Sequence, residues 1–483
     1  MPRRKLLAIA MVGAITVPLW QNSQAAKPKD EVMELYGVFV DAVEMVEMNY
    51  VRPVSRKDLL EAALRGMLQE LDPHSSYINT GQMKNFRRQI EGKFGGIGIQ
   101  VNADPEINRL KVISPMVGTP AYNAGVLAGD TILKIDDTTT EGMDLDKAIE
   151  LLQGRPGTNV RLEVLHEGIE KVENITLARA IIDLPSVYGN VRKADDTWDF
   201  MLDADKKVGY IRITNFMQNT TDEVKHALED LKAQGMKGLI LDLRDDPGGL
   251  LSSAVEISDL FLEEGQIVST KGRNTAPKTF DAEKEGTYSD FPMAVLVNQN
   301  SASASEIVSA ALQDHERAIV VGQRSFGKGS VQNILDLEDG NSFLKLTVAT
   351  YWRPSGKNIH RFKEAKDSDE WGVSPDKGYE VKYTPEEYYA WAIDRRDRDQ
   401  ASSHNKPKAP KVEAPVEKTK DAPKADEAKP KDEAKPKDAE KTSPAPNEDN
   451  PAKEQSGKIR KPFIDRQLIK AVEFVTGKMV AAK

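Results

Sequence analysis

Short runs of hydrophobic residues, too brief to cross a membrane and too continuous to lie on a surface, constrain this chain most. Residues 238–243 read Gly-Leu-Ile-Leu-Asp-Leu, 293–297 read Met-Ala-Val-Leu-Val, and 318–321 read Ala-Ile-Val-Val. Strands of that kind are covered on both faces, as in a sheet flanked by helices. The first run ends in Asp245, Asp246, Pro247, Gly248 and Gly249, and a helix is expected over 250–262. The second ends in small residues, after which Ile307, Val308, Ala311 and Leu312 follow helical spacing.

The stretch 298–332 is the most informative. Ser301, Ser303 and Ser305 stand where a strand turns into a helix. The free N–H groups of a helix's first turn stabilise developing negative charge, so a serine there can be a nucleophile. Ser303 and Glu306 also form the pattern of a capping box, in which the hydroxyl only satisfies a backbone amide. The turn alone leaves both readings open. Lys328 adds weight to the first, because it lies between Gly327 and Gly329 and close to Phe326. Burial lowers a lysine's pKa from roughly 10.4 towards the 7–8 range of a general base. If 329–337 is extended, residues 328, 330 and 332 share one face, and Gln332 can orient the amine. Gly322 to Lys328 is nearly a phosphate-binding loop, yet Gly329 stands where Ser or Thr would hold magnesium, and a strand, not a helix, follows.

These residues resemble the active-site region of the carboxyl-terminal processing proteases, serine proteases with a Ser/Lys dyad. The shared pattern runs Ser-Ala-Ser-Ala-Ser-Glu-Ile over 301–307 and Gly-Lys-Gly-Ser-Val-Gln over 327–332. The resemblance implies Ser303 as nucleophile, Lys328 as general base and Gln332 as its support. It chooses among the three serines, which the turn chemistry did not. It further implies an oxyanion hole from the amides of Gly249 and Ala304, with Gly248 the weaker candidate. Members of that family usually carry Asn where this chain has Asp246. A carboxylate there would oppose catalysis if it pointed inward. His315 and His360 have no companion acid in a recognisable setting, and the Gly-x-Ser-x-Gly pattern of Ser/His/Asp enzymes is missing.

The rest of the 483-residue chain is read around that core. Basic residues 2–5, an apolar run over 6–20 and small residues near 24–26 form a secretory signal peptide over 1–25. The body is therefore expected in the periplasm, or associated with the inner membrane if the segment is retained. Residues 26–91 repeat apolar positions at three and four and are expected to be helical; His74 is read as a capping or packing residue. Residues 92–180 look like a PDZ domain, with Gly96, Ile97, Gly98 and Ile99 as the loop whose amides bind a terminal carboxylate. Arg155, on a turn of that domain, is a candidate regulatory residue coupling peptide binding to the active site. The protease core is placed at 181–395. Residues 396–457 are rich in Lys, Pro, Ala, Glu and Asp and are expected to be a disordered linker. An amphipathic helix is expected within 458–483, to complete the core or to mediate subunit contacts.

The expected architecture is thus a multidomain α/β protein: helical N-terminal region, PDZ domain, strand-strand-helix (crotonase-like) protease core, linker and C-terminal helix. No cysteine is present, which excludes disulfides and a thiol nucleophile. A net charge of −9 gives no reason to expect nucleic acid. No metal or organic cofactor is called for. The implied partners are periplasmic protein substrates with free C-termini, an activating adaptor protein and further copies of the chain. The alternative function is a PDZ-type peptide-binding protein or chaperone with an inactive protease fold.

Overall fold

The computed structural model describes residues 29–168, 172–400 and 463–481. The expected signal segment lies outside them, as does the expected linker from residue 401 on. No helix among the described residues is long and apolar enough to cross a membrane. The chain forms two compact units, one of residues up to 79 with 334–346 and one of 80–333 with 347 onward.

In the first unit, helices Lys29–Asn49 and Arg56–Gln69 precede strand Ser76–Asn79. Ser55 caps the second helix by accepting the Asp58 N–H. The strand pairs antiparallel with residues 342–345, burying Leu68, Tyr77, Ile78 and Phe343. Asp72 closes the turn before it, taking the N–H groups of His74 and Ser75 at 2.7 and 2.8 Å.

In the second unit, 99–178 folds as an antiparallel sheet in the order Ile99–Asp104, Arg109–Pro115, Thr131–Ile135, Asn159–Leu165, Val172–Ala178. Helix Leu145–Leu152 packs on it. The alternation of Val160, Leu162 and Val164 with exposed or half-buried neighbours places one face in a core shared with Leu110 and Ile132.

The central sheet takes the order Val187–Tyr188, Val208–Ile213, Gly238–Asp242, Met293–Val297, Ile319–Gly322, and its last four strands run parallel. Helices Thr220–Ala233, Leu251–Asp259 and Ala304–Asp314 intervene along the chain. Both faces are apolar because alternate residues of each strand serve different cores. Leu239, Leu241, Val295 and Val297 join the three intervening helices. Val208, Tyr210, Ile240, Ala294 and Leu296 face the C-terminal helix Arg466–Ala481 through its Ala471 and Val475. Of the two roles open to that helix, completing the core is therefore the one it fills. Helix Pro385–Asp399 runs past residue 395, where the linker was expected to begin. Its final Asp399 is held by Arg212 at 2.6 Å and Arg395 at 3.2 Å, and ion pairs of that kind end a helix in an ordered state.

Candidate active site

The turn that carries the candidate nucleophile is the link from strand Met293–Val297 to helix Ala304–Asp314. Two of its three serines spend their hydroxyls on structure. Ser301 Oγ donates to the Leu243 carbonyl at 2.7 Å, and Ser305 Oγ donates to the Asp246 carbonyl at 3.0 Å. Ser303 is the N-cap, at φ 57° and ψ −110°, a region that residues with a side chain seldom enter. Its side chain makes no capping hydrogen bond. The Glu306 N–H goes to the Ser303 carbonyl at 3.0 Å. In the other direction of the capping-box pattern, the Ser303 N–H donates to Glu306 Oε2 at 2.8 Å. No carbonyl among the described residues receives the Ser303 hydroxyl, unlike those of its two neighbours.

Glu306 was legible only as a cap partner; the structure makes it the hub of the site. Its side chain is fully buried. Oε2 accepts the backbone N–H groups of both Ser303 and Lys328, each at 2.8 Å. Oε1 accepts the Gly327 N–H at 2.6 Å and the Ser325 hydroxyl at 2.5 Å. One carboxyl therefore straps the serine turn to the lysine loop. Burial pushes its pKa up to about 7, against the pull of those four donors. The sequence signal was an acid set among small and apolar residues in the first turn of one helix.

Lys328 needs both flanking glycines. A Cβ on Gly327, at φ 87°, would lie 2.7 Å from Arg361 Cβ, and one on Gly329 would collide with the His360 backbone. Strand Ser330–Leu337 follows, as expected. Gln332 Nε2 donates to Ser330 Oγ at 2.8 Å and to Thr347 Oγ1 at 3.2 Å, so this amide is fixed on its strand by hydroxyl groups.

The glycine turn after strand Gly238–Asp242 lies against the serine turn. A Cβ on Gly248, at φ 95°, would come within 2.6 Å of the Ala302 oxygen and 2.8 Å of the Ala304 nitrogen. The Gly248 N–H is taken by Asp246 Oδ1 at 2.8 Å. Gly249 bridges Phe216 in parallel fashion through the Phe216 and Leu250 N–H groups, a pattern that leaves the Gly249 amide out of the pairing. Gly248→Ala is expected to keep the fold but to lower kcat/KM by about 100-fold or more, because the serine turn must shift by several tenths of an ångström. Steady-state kinetics beside a thermal melt would check it.

Sequence reasoning also missed the supports behind this turn. Asp245, at φ 56°, accepts from Asn298 Nδ2 at 2.8 Å, Asn300 Nδ2 at 2.7 Å and the Tyr388 hydroxyl at 2.9 Å. The buried Arg244 holds Asp242 at 2.6 Å and Asp465, next to the C-terminal helix, at 2.9 Å. Apart from Asp242, two residues from Arg244, the partners come from 53 to 221 residues away, which spacing cannot reveal.

In the module over 99–178, Gly96, Ile97, Gly98 and Ile99 line one groove with Ile149 and Leu152, a cavity of about 370 Å³. Gly98 sits at φ 76° against the Thr119 side chain. The groove thus has an apolar floor and a glycine-bearing loop between a strand and a helix. Arg155 is exposed on its turn, its carbonyl accepting the Thr158 hydroxyl at 2.6 Å.

Comparison with known proteins accords with this anatomy. Peptidase family S41 matches residues 207–377, a PDZ domain 111–165, and the N-terminal domain of the activating protease CtpB 16–81. A carboxy-terminal-processing protease of Bartonella bacilliformis is 38% identical over 380 residues, covering 75% of this chain and 82% of the relative. A carboxyl-terminal-processing protease of Synechocystis is 39% identical, covering 67% and 72%, and CtpA of Bacillus subtilis is 34% identical, covering 74% of each. With a serine turn, a lysine loop and an apolar groove in one chain, and likeness of that extent, this protein belongs to the carboxyl-terminal processing proteases, the PDZ-containing serine proteases of peptidase family S41.

Proposed function

We propose that this serine protease is exported and cleaves periplasmic proteins, selected partly by their C-termini, with a Ser303/Lys328 dyad. A terminal carboxylate docks at the amides of Gly96, Ile97, Gly98 and Ile99 while the preceding residues add a strand to the module's sheet. Ser303 Oγ attacks the scissile carbonyl as the uncharged Lys328 amine takes its proton. The Gly249 and Ala304 amides hold the oxyanion. The lysine then protonates the leaving amine and activates the water that clears the acyl-enzyme, with Gln332 keeping it aligned. The observation that carries the reading is the division of labour among the serines. Ser301 and Ser305 donate their hydroxyls to backbone carbonyls, whereas Ser303 heads the helix at the N-cap and its hydroxyl donates to no carbonyl among the described residues.

The basic and apolar residues 2–20 support export. Met33, Tyr36, Phe39, Met45 and Met48 are exposed on the first helix, which supports self-association or an activating adaptor as its cover. Arg155 is the candidate for transmitting peptide binding. Ser303→Ala should reduce cleavage of an unstructured protein by at least about 10⁴-fold, with the melting curve unchanged. Equal turnover by wild type and variant would refute Ser303 as nucleophile and favour a binding or chaperone role.

A further inference from the structure

Asp246 is an acid buried without a cation. It is fully inaccessible, and it sits between the strand that ends at Asp242 and the glycine turn. Its backbone is clasped to the serine turn: its carbonyl accepts the Ala302 N–H at 2.9 Å and the Ser305 hydroxyl at 3.0 Å. Oδ1 accepts the Gly248 N–H at 2.8 Å, whereas Oδ2 is buried with no hydrogen-bond partner.

None of the charged groups on the elements packed around it hydrogen-bonds to Oδ2. On its own strand and turn, Asp242 binds Arg244 and Tyr210, and Asp245 binds Asn298, Asn300 and Tyr388. On the helix opposite, Glu306 takes its four donors from residues 303, 325, 327 and 328. Lys328, on the loop beyond, gives its backbone N–H to that glutamate. None of them supplies a partner to Oδ2. A carboxylate in that position would carry an uncompensated charge into the interior and set it beside the amides proposed to receive the oxyanion. A carboxylic acid of the same shape keeps the Oδ1 acceptor for Gly248 and carries no charge.

We propose that Asp246 works as a neutral carboxylic acid, a positioning residue that holds the Gly248–Gly249 turn against the serine turn, and that its deprotonation in alkaline solution switches the enzyme off. Burial raises its pKa well above the usual carboxylate range, against the pull of the Gly248 N–H and of the Ser305 hydroxyl lying near the carboxyl. The proposal rests on the serine-protease chemistry assigned above.

The test is a pH profile of kcat for the full-length protein on a fluorescently labelled unstructured protein. Wild type should lose activity on an alkaline limb, and one pH unit above its midpoint a single ionisation removes about tenfold. Asp246→Asn, which cannot ionise, should keep the acid limb and lose the alkaline one. Superimposable profiles would overturn the proposal. A second measurement needs no variant. The infrared difference spectrum of wild type between neutral and alkaline pH should lose a protonated-carboxyl band along that limb. Burial pushes Glu306 up to about 7, so its own carboxyl band is lost around neutrality. Absence of the band overturns the proposal even where Asp246→Asn fails to fold. The infrared result stands apart from the catalytic assignment: an active Ser303→Ala would refute that assignment, and the band would still report the proton on Asp246.

Discussion

Glu306→Gln is expected to lower kcat/KM by at least about 100-fold, a larger loss than its small change in shape suggests. Gln has one acceptor oxygen where the carboxylate has two. Whichever way the amide turns, its NH₂ meets backbone N–H donors, those of Ser303 and Lys328 on one side or that of Gly327 on the other. Each orphaned buried N–H costs about 1–3 kcal/mol, so the loops will part to reach other acceptors. Displacing the serine turn from the lysine loop by even an ångström accounts for the rate. Kinetics and a thermal melt together give the check: a lower melting temperature with unaltered kcat would show that the strap matters only for stability.

The same carboxyl fixes a pH signature. Its folded pKa, about 7, lies above the ordinary 4.5, so between those values the folded chain holds a proton that the unfolded chain releases. Stability relative to an unperturbed acid is thus full below about 4.5 and declines as pH rises towards 7, by about 3 kcal/mol in all. Activity should move oppositely, rising as the strap ionises. Glu306→Gln should flatten that part of both curves.

Deletion of residues 463–483 should abolish cooperative folding of the protease core. Ala471 and Val475 are fully buried against the sheet, and Leu468, Val472, Phe474 and Met479 are partly so. At about 1.5–3 kcal/mol per large buried side chain, the lost burial is on the order of 10 kcal/mol, an upper figure that still matches a domain's whole stability. Arg244 would also lose Asp465 and Gln467 while staying buried beside Asp242. Breaking such a pair from one side costs about 3–5 kcal/mol. Binding of a hydrophobic dye by the truncated protein and loss of its melting transition are the readouts; a sharp transition near that of the full chain would refute the expectation.

The strands were legible because 239–241 and 293–297 are apolar without interruption, and a sheet covered on both faces selects for that. The serine turn and the lysine loop were legible because small residues and glycines mark places where backbone comes close. What escaped was long-range polar pairing. Nothing local says that Glu306 faces residue 328, that Tyr388 reaches Asp245, or that Arg244 awaits Asp465. The C-terminal helix showed its apolar stripe in sequence but not its destination, since one amphipathic face fits any apolar surface. Burial of Asp246, by contrast, turns an apparent defect of the sequence into a statement about its proton.

The backbone of Ser303 has a wider consequence. A torsion pair that suits glycine, held by a residue with a side chain, is worth about 1–3 kcal/mol in the wrong direction. A chain with glycine there is expected to be the more durable molecule, at the cost of the proposed nucleophile. The position thus sets robustness against turnover, and variants gathered for heat tolerance alone are expected to lose the hydroxyl early.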